Sequence, residues 1–151
     1  MDKNLNKEKL LLPFIAGGIK RIIRKRKRCI EEAARLKRTI DIVGPRLGRW
    51  IAEGKYRKEY GSMDNILDEL GVTADELSLF CTTKLRMPFL SWRKALRMED
   101  AKRMLIEQPD ASTVKIANEL GIKDKSNFRH QFKSVTGLSP SEWREKFLKK
   151  K

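Results

Sequence analysis

The stretch ILDELGV, at residues 66–72, is repeated as IANELGI at residues 116–122, and this repeat decides the expected fold. In each copy an Ile and a Leu four positions apart form one apolar face of a short helix. The glycine that follows, Gly71 or Gly121, tolerates the positive φ at which a helix often ends. The sequence therefore predicts two short helices, each closed by a glycine turn.

A second helix is predicted after each glycine turn. In the first copy Thr73 and Glu76 have the spacing of a capping box. In the second copy Asp124 is the expected N-cap, and Phe128 and Phe132 lie one turn apart on the buried face. Two short helices joined by a tight turn form a helix-turn-helix unit, so the chain is expected to carry two such units.

One longer helix is predicted between the two units, from Pro88 to Gln108. About 20 helical residues, at about 1.5 Å each, span roughly 30 Å. Successive segments of the major groove on one face of a duplex lie about 34 Å apart. A linker helix of this length could therefore hold two recognition helices one turn of DNA apart.

The composition points to a polyanionic partner. The chain has 151 residues, of which 40% are hydrophobic, and 35 Lys and Arg against 20 Asp and Glu give a net charge of +15. The apolar fraction is sufficient for a core, and the excess of cations opposes compaction unless an anion binds. Nucleic acid and an anionic membrane surface are the two partners that charge alone suggests.

The N-terminal region divides into an apolar stretch, LLLPFIAGGI at 10–19, and a basic run, KRIIRKRKR at 20–28. The apolar stretch is too short to span a bilayer, which takes about 20 residues, and Pro13 with Gly17 and Gly18 is expected to break it. The order is nevertheless that of a membrane segment and its cytoplasmic flank. Membrane contact, a short docked helix and a disordered basic arm all remain open.

Further along, the pattern predicts a helix from Ile30 that ends at Gly44, and a new helix that begins at Pro45. Cys29 and Cys81 lack a CxxC partner, and one histidine, His130, cannot complete a zinc site with them. No catalytic constellation and no secretory signal are recognisable. We therefore expect a non-enzymatic protein without cofactor or metal, cytoplasmic with free thiols or associated with a membrane.

Residues 62–147 resemble the DNA-binding domain of the AraC/XylS family of bacterial transcription regulators. The resemblance rests on ALRMEDAKRMLI (95–106), VKIA (114–117), GIKDKSNF (121–128), QFK (131–133) and TGLSPSEWR (136–144). It implies an all-α fold with two helix-turn-helix subdomains joined by a long linker helix. Residues 41–151 would form this tandem domain, and residues 1–40 a basic helical arm, the remnant of a membrane-proximal junction. The implied partners are double-stranded DNA and RNA polymerase, while the oligomeric state stays open.

The resemblance also assigns the residues that would contact DNA. In the second recognition helix Asn127 suits an adenine edge and Arg129 a guanine edge. The remaining candidates there are Lys125, Ser126, His130, Lys133 and the preceding Lys123, the lysines at 123 and 133 being better suited to phosphate. In the first recognition helix the candidates are Asp75, Ser78, Leu79 and Thr82. Because Leu79 stands where the family commonly has an arginine, the second unit is expected to dominate specificity.

Three further residues are not among those expected to contact DNA. Arg86 occupies a place that the family usually gives to glycine, and Cys81 is expected to be buried and unreactive. Arg97 is expected to bridge the subdomains through a buried acidic partner.

The predicted function is sequence-specific DNA binding and transcription regulation. The alternatives are a non-specific basic protein that coats nucleic acid and a membrane-tethered interaction module.

Overall fold

The computed structural model describes residues 3–148, with side chains from residue 16 onward. Within that range the chain forms seven α-helices and no strand, which confirms the all-α prediction. Their bounds are α1 Lys3–Ala52, α2 Met63–Leu70, α3 Ala74–Phe80, α4 Phe89–Glu107, α5 Thr113–Glu119, α6 Lys125–Thr136 and α7 Pro140–Leu148. A 3₁₀ turn at Lys55–Arg57 and a π-type turn at Cys81–Leu85 complete the secondary structure of the described residues.

The chain divides into two compact units, Met1–Ile40 and Asp41–Lys151. In the first unit the described side chains of α1 are almost all exposed, including every residue of the basic run at 20–28. The second unit contains the end of α1 and all of α2–α7, with the buried apolar residues of both helix-turn-helix units.

Helix α1 is continuous, so the predicted breaks at Pro13, Gly17–Gly18 and Gly44–Pro45 are wrong. A proline inside a helix costs about 3 kcal/mol, chiefly through a lost hydrogen bond and a clash with the preceding turn. Gly44 removes part of the usual cost, because it has no Cβ to collide with the proline ring. Around it Val43, Leu47 and Trp50 are buried in the second unit, and each contributes about 1.5–3 kcal/mol. Their combined burial outweighs the cost of Pro45.

The first helix-turn-helix unit forms as the sequence predicts. Helix α2 ends at Gly71, which has φ 66°, and the turn leads into α3. Thr73 and Glu76 form the predicted capping box, in which the backbone N–H of Thr73 donates to the Glu76 carboxylate at 2.8 Å. After α3 the helical path continues as the π-type turn and ends at Arg86. Arg86 has φ 59°, the left-handed conformation that favours glycine.

The second helix-turn-helix unit packs on α4 and α7. Helix α5 is followed by Gly121, with φ 68°, and α6 begins at its predicted cap Asp124. Ser139 and Glu142 cap α7 reciprocally: the backbone N–H of Ser139 donates to the Glu142 carboxylate at 2.6 Å. The core of this unit consists of apolar side chains from α4, α5, α6 and the glycine turn, namely Met98, Ala101, Met104, Leu105, Ile116, Ala117, Leu120, Ile122, Phe128 and Phe132.

Candidate nucleic-acid interface

Helix α6 is fixed by its buried face. Phe128 and Phe132 are 1% and 0% exposed, and their ring centroids lie 5.9 Å apart. At the helix start the Asp124 carboxylate accepts a hydrogen bond from the backbone N–H of Asn127. These two anchors orient α6 so that the residues on its other side face solvent.

All six predicted contact residues of α6 are exposed, namely Lys125, Ser126, Asn127, Arg129, His130 and Lys133. Among them Lys125, Arg129 and Lys133 follow one another at intervals of four, so they form a row of cations with a rise of about 6 Å between neighbours. Four of the six also line one shallow depression, together with Ser134. The structure thus brings the predicted residues together on one positively charged helix face.

The amide of Asn127 is held by a neighbour that the sequence analysis missed. Gln131 donates from Nε2 to the Asn127 Oδ1 at 2.9 Å. This bond leaves the Asn127 amide nitrogen free to donate, and the oxygen keeps a second lone pair. A bidentate contact to an adenine edge therefore stays available. The spacing i, i+4 of these two amides is the signal that could have predicted the pair.

Glu142, at the start of α7, places a negative charge beside this face. The hydrogen bonds that it accepts from the side chain and backbone of Ser139 lower its pKa, and the charges of Lys133 and Arg129 lower it further. Its carboxylate is therefore ionised at neutral pH. Its negative charge offsets part of the positive potential of Lys133 and Arg129, so the positive surface of α6 ends at Glu142.

Lys123 is not part of the α6 row. Its ammonium pairs with the carboxylate of Glu59 at 2.6 Å, and the two side chains are 78% and 53% exposed. An ion pair so exposed contributes no more than about 1 kcal/mol. A phosphate contact by Lys123 therefore requires only that a weak pair be exchanged.

The outer face of α3 has a different chemistry. Asp75 and Ser78 are exposed on α3, and Leu79 is half-buried. Thr82, predicted in the same helix, lies exposed in the π-type turn that follows, where its hydroxyl donates to the Ser78 carbonyl at 2.9 Å. The depression beside these residues is mainly apolar, and its lining includes Met63, Ala74, Met87, Pro88 and Phe89 together with one cation, Arg86. None of the four predicted contact residues of the first unit carries a positive charge. The first unit therefore offers small and apolar groups and a single arginine, where the second offers a row of cations.

A connecting segment at residues 55–60, which we call the clasp, fixes α4 to the rest of the second unit. Arg93 donates from Nε to the Tyr56 carbonyl at 2.9 Å, and Arg97 donates to the same carbonyl at 2.9 Å and to that of Lys58 at 3.0 Å. The predicted acidic partner of Arg97 is therefore wrong, because backbone carbonyls take that place. Burial, aided by the neighbouring charge of Arg93, lowers the pKa of Arg97 to about 10. The group stays charged at neutral pH.

Asp100 supplies the acidic group of the clasp. Its carboxylate accepts from the Arg57 guanidinium at 2.7 and 2.8 Å, from the Tyr56 hydroxyl, and from Arg103 at 3.0 Å. Burial raises the pKa of Asp100, but these hydrogen bonds outweigh it, and the pKa lies below its ordinary value. The spacing of Arg93, Arg97 and Asp100 at intervals of four and three on one helix face is the signal that sequence reasoning missed.

The clasp touches both helix-turn-helix units. On one side the Tyr60 hydroxyl donates to Glu69 of α2 at 2.5 Å. On the other side the Arg57 carbonyl lies against Gly121, where a Cβ would come within 1.8 Å of the oxygen. Gly121 thus has two reasons to be glycine, a positive φ and a close backbone approach. The clasp thus contacts α2 of the first unit and the glycine turn of the second.

Comparison with known proteins agrees with this architecture. Residues 66–146 match the family model described as a helix-turn-helix domain, which is of the AraC type. Among solved structures, the C-terminal domain of AraT, a response regulator from Geobacillus stearothermophilus, is 23% identical with a TM-score of 0.61, over 70% of this chain and 84% of that one. The C-terminal domain of the two-component response regulator YesN from Fusobacterium nucleatum is 24% identical with a TM-score of 0.58, over 67% and 97%.

No curated protein matches the chain. The two solved structures share its fold, and the family model covers more than half of its length. Within the described residues no helix has the length and hydropathy to cross a bilayer, and no group of side chains suited to a metal ion occurs. The chain belongs to the AraC-type helix-turn-helix family of DNA-binding transcription regulators.

Proposed function

We propose that this regulator binds double-stranded DNA sequence-specifically, reading two successive major-groove segments with α3 and α6, and that α6 dominates the choice of sequence. The observation that carries the proposal is the contrast between the two outer faces. Helix α6 presents three cations and an amide on a face fixed by two buried phenylalanines, while α3 presents Asp75 beside small and apolar groups.

Each polar group of α6 has a distinct use at DNA. Arg129 can donate two bonds to the O6 and N7 of guanine, and Asn127 can pair with the N6 and N7 of adenine, each worth about 1–3 kcal/mol of discrimination. His130 offers one bond to a base or phosphate. Lys125 and Lys133, at the two ends of the row, suit phosphates, which set register and salt dependence.

The small side chains of α3 and of the turn after it favour a weaker form of readout. Ala74 and Thr82 can contact the methyl group of thymine, and Ser78 can bond either a base or a phosphate. Asp75 repels phosphate and accepts only from cytosine N4. The first unit would therefore add affinity and spacing while contributing less discrimination than the second.

The linker geometry supports engagement of two groove segments by one chain. Helix α4 has 19 residues, which span about 28 Å at about 1.5 Å each. Because the clasp contacts both units and α4, the two recognition helices would enter DNA together. RNA polymerase is the protein partner that we propose for a regulator bound in this way.

One other candidate function is a non-specific coat on nucleic acid. The lack of cations on α3 and the exposed basic run of α1 favour it.

The test compares two alanine variants of the full chain on the sequence that the wild type selects from random duplexes. Arg129→Ala should lower affinity for that site about 10-fold or more and relax the preference at one base pair. The control, Lys146→Ala, removes the same charge from an exposed position of α7 that has no predicted contact. Equal small losses in the two variants, with no change in preference, would support the non-specific coat instead.

A further inference from the structure

The part of α1 that lies in the first unit has an apolar pattern with a period of seven. Between residues 19 and 40 the spacing alternates strictly between three and four. The first position of each heptad, a, is held by Ile19, Arg26, Ala33 and Ile40, and the fourth, d, by Ile22, Cys29 and Leu36. An average period of 3.5 residues is that of two helices that supercoil around each other, and a lone amphipathic helix follows 3.6.

Among the residues that the structure describes, the stripe is exposed from Ile19 to Ala33 and half-buried at Leu36 and Ile40. Ile19 and Ile22 are 52% and 60% exposed, and Cys29 is exposed as well. In the second unit the same spacing continues at Val43, Leu47 and Trp50, whose side chains are buried in that unit. The pattern thus has a partner in the second unit and lacks one in the described part of the first.

The charges of this segment lie away from the stripe. Positions b, c, f and g take nearly all the cations of the basic run; the residues there are Lys20, Arg21, Arg24, Lys25, Lys27 and Arg28. Ile23 and Ile30, at position e, widen the stripe on one side and are 58% and 69% exposed. A helix of this kind obtains most of its stability from a surface packed on its apolar face.

We propose that the partner is a second copy of this chain, and that residues 19–40 form a parallel, in-register coiled-coil dimer. One flanking pair agrees with that register: Glu32 at position g and Lys37 at the next e would face each other across the seam, twice in the dimer, while the basic run at 20–28 repels its copy. Arg26 is the one polar residue at an a position. A single polar residue there favours a two-stranded, in-register pairing at a cost in stability.

The position of Arg26 also argues against a lipid surface as the occupant. On a membrane the centre of the apolar stripe sinks into the acyl region, where a guanidinium is costly. In a coiled coil an arginine at a can run along the seam and keep its charged end in water. The stripe and its central cation therefore fit a protein helix better than a bilayer.

Dimerisation is independent of the proposed DNA readout, because its residues and those of α6 do not overlap. The first test is sedimentation equilibrium of the full chain without DNA, under reducing conditions. Ile22→Asn should weaken self-association about 100-fold, since the dimer loses two buried isoleucines. The matched control is Ile42→Asn, at an apolar residue that is 39% exposed and lies outside the a and d positions. A monomeric wild type, or equal effects of the two variants, would overturn the proposal.

A substitution that strengthens self-association cannot be explained by a failure to fold, so it is a second test. Arg26→Leu should strengthen self-association about 10-fold, because an apolar residue replaces the polar one in the seam. Added salt should strengthen the wild-type dimer as well, since both helices carry excess positive charge and screening reduces their repulsion. No gain with Arg26→Leu would contradict a seam through position 26. Dissociation by salt would contradict association through the apolar stripe.

Register is tested by a cross-link. In a Cys81→Ser background only Cys29 remains, and in a parallel in-register pair the two Cys29 side chains meet at position d. Mild oxidation of the Cys81→Ser protein should therefore give a disulfide-linked dimer, and the added substitution Ile22→Asn should slow its formation. A dimer that resists this cross-link would refute the parallel register. Binding of monomers to phosphatidylglycerol vesicles, lost in Ile22→Asn without any self-association, would assign the stripe to a membrane instead.

Discussion

Replacement of Gly121 by alanine tests whether the clasp holds the second helix-turn-helix unit in place. The glycine has φ 68°, and a Cβ there would lie 1.8 Å from the Arg57 carbonyl oxygen and 3.2 Å from the Arg97 guanidinium. The matched control is Gly137→Ala, because Gly137 has φ 78° and no atom within 4 Å of the added carbon. The two variants share the left-handed backbone and differ in the collision.

The expected magnitudes follow from that difference. The left-handed conformation costs an alanine about 1–2 kcal/mol, and both variants carry this cost. In Gly121→Ala the Arg57 carbonyl must also move, which disturbs the bonds that Arg97 donates to the carbonyls of Tyr56 and Lys58. A hydrogen bond to a charged group is worth about 1.5–3 kcal/mol. We therefore expect Gly121→Ala to lower the free energy of unfolding by about 3–5 kcal/mol, against about 1–2 kcal/mol for Gly137→Ala.

Urea denaturation, followed by tryptophan fluorescence, measures both values. The emission sums the signals of Trp50, Trp92 and Trp143, so coincidence of the fluorescence transition with that of far-ultraviolet circular dichroism is the test of two-state unfolding. Free energies of unfolding that agree within about 0.5 kcal/mol for the two variants would refute the close approach between the clasp and Gly121.

Three further predictions concern single residues. Arg86→Gly should raise the free energy of unfolding by up to about 1 kcal/mol in the same assay, because it relieves a left-handed φ of 59°, and an unchanged or lower value would count against that strain. The ionised Asp100 should contribute fully to the free energy of unfolding above its ordinary pKa of 3.8, and this contribution should disappear as pH falls through the lower pKa of the folded state. Asp100→Asn should therefore make the free energy of unfolding less dependent on pH in the acid range, and an unchanged dependence would contradict this. Lys133→Ala should weaken binding to all duplexes alike and reduce the slope of log affinity against log salt by about 1, whereas a change of sequence preference would assign it to a base.

Local signals in the sequence predicted much of the fold. The caps Thr73 and Asp124 and the turns at Gly71 and Gly121 depend on a few consecutive residues, so they could be identified without knowledge of packing. The exposed face of α6 followed from the spacing of its two buried phenylalanines.

Features that depend on tertiary contacts could not be predicted in the same way. Gly44–Pro45 is a strong local signal for a helix boundary, but burial on both sides of it overrides that signal. Arg97 binds carbonyls of a segment some forty positions away, and no spacing rule indicates such a partner. The chemistry of the α3 face depends equally on Met63, Met87 and Phe89, which come from outside the helix.

Selection from a random duplex pool tests the central claim, that α6 and α3 read two adjacent groove segments, most directly. The full chain should enrich one site with two half-sites about one helical turn apart, the better-defined half belonging to α6. A variant with Asn127→Ala and Arg129→Ala should lose the preference in that half while it keeps the other. Binding that persists without any enriched site in the wild type would contradict sequence-specific readout.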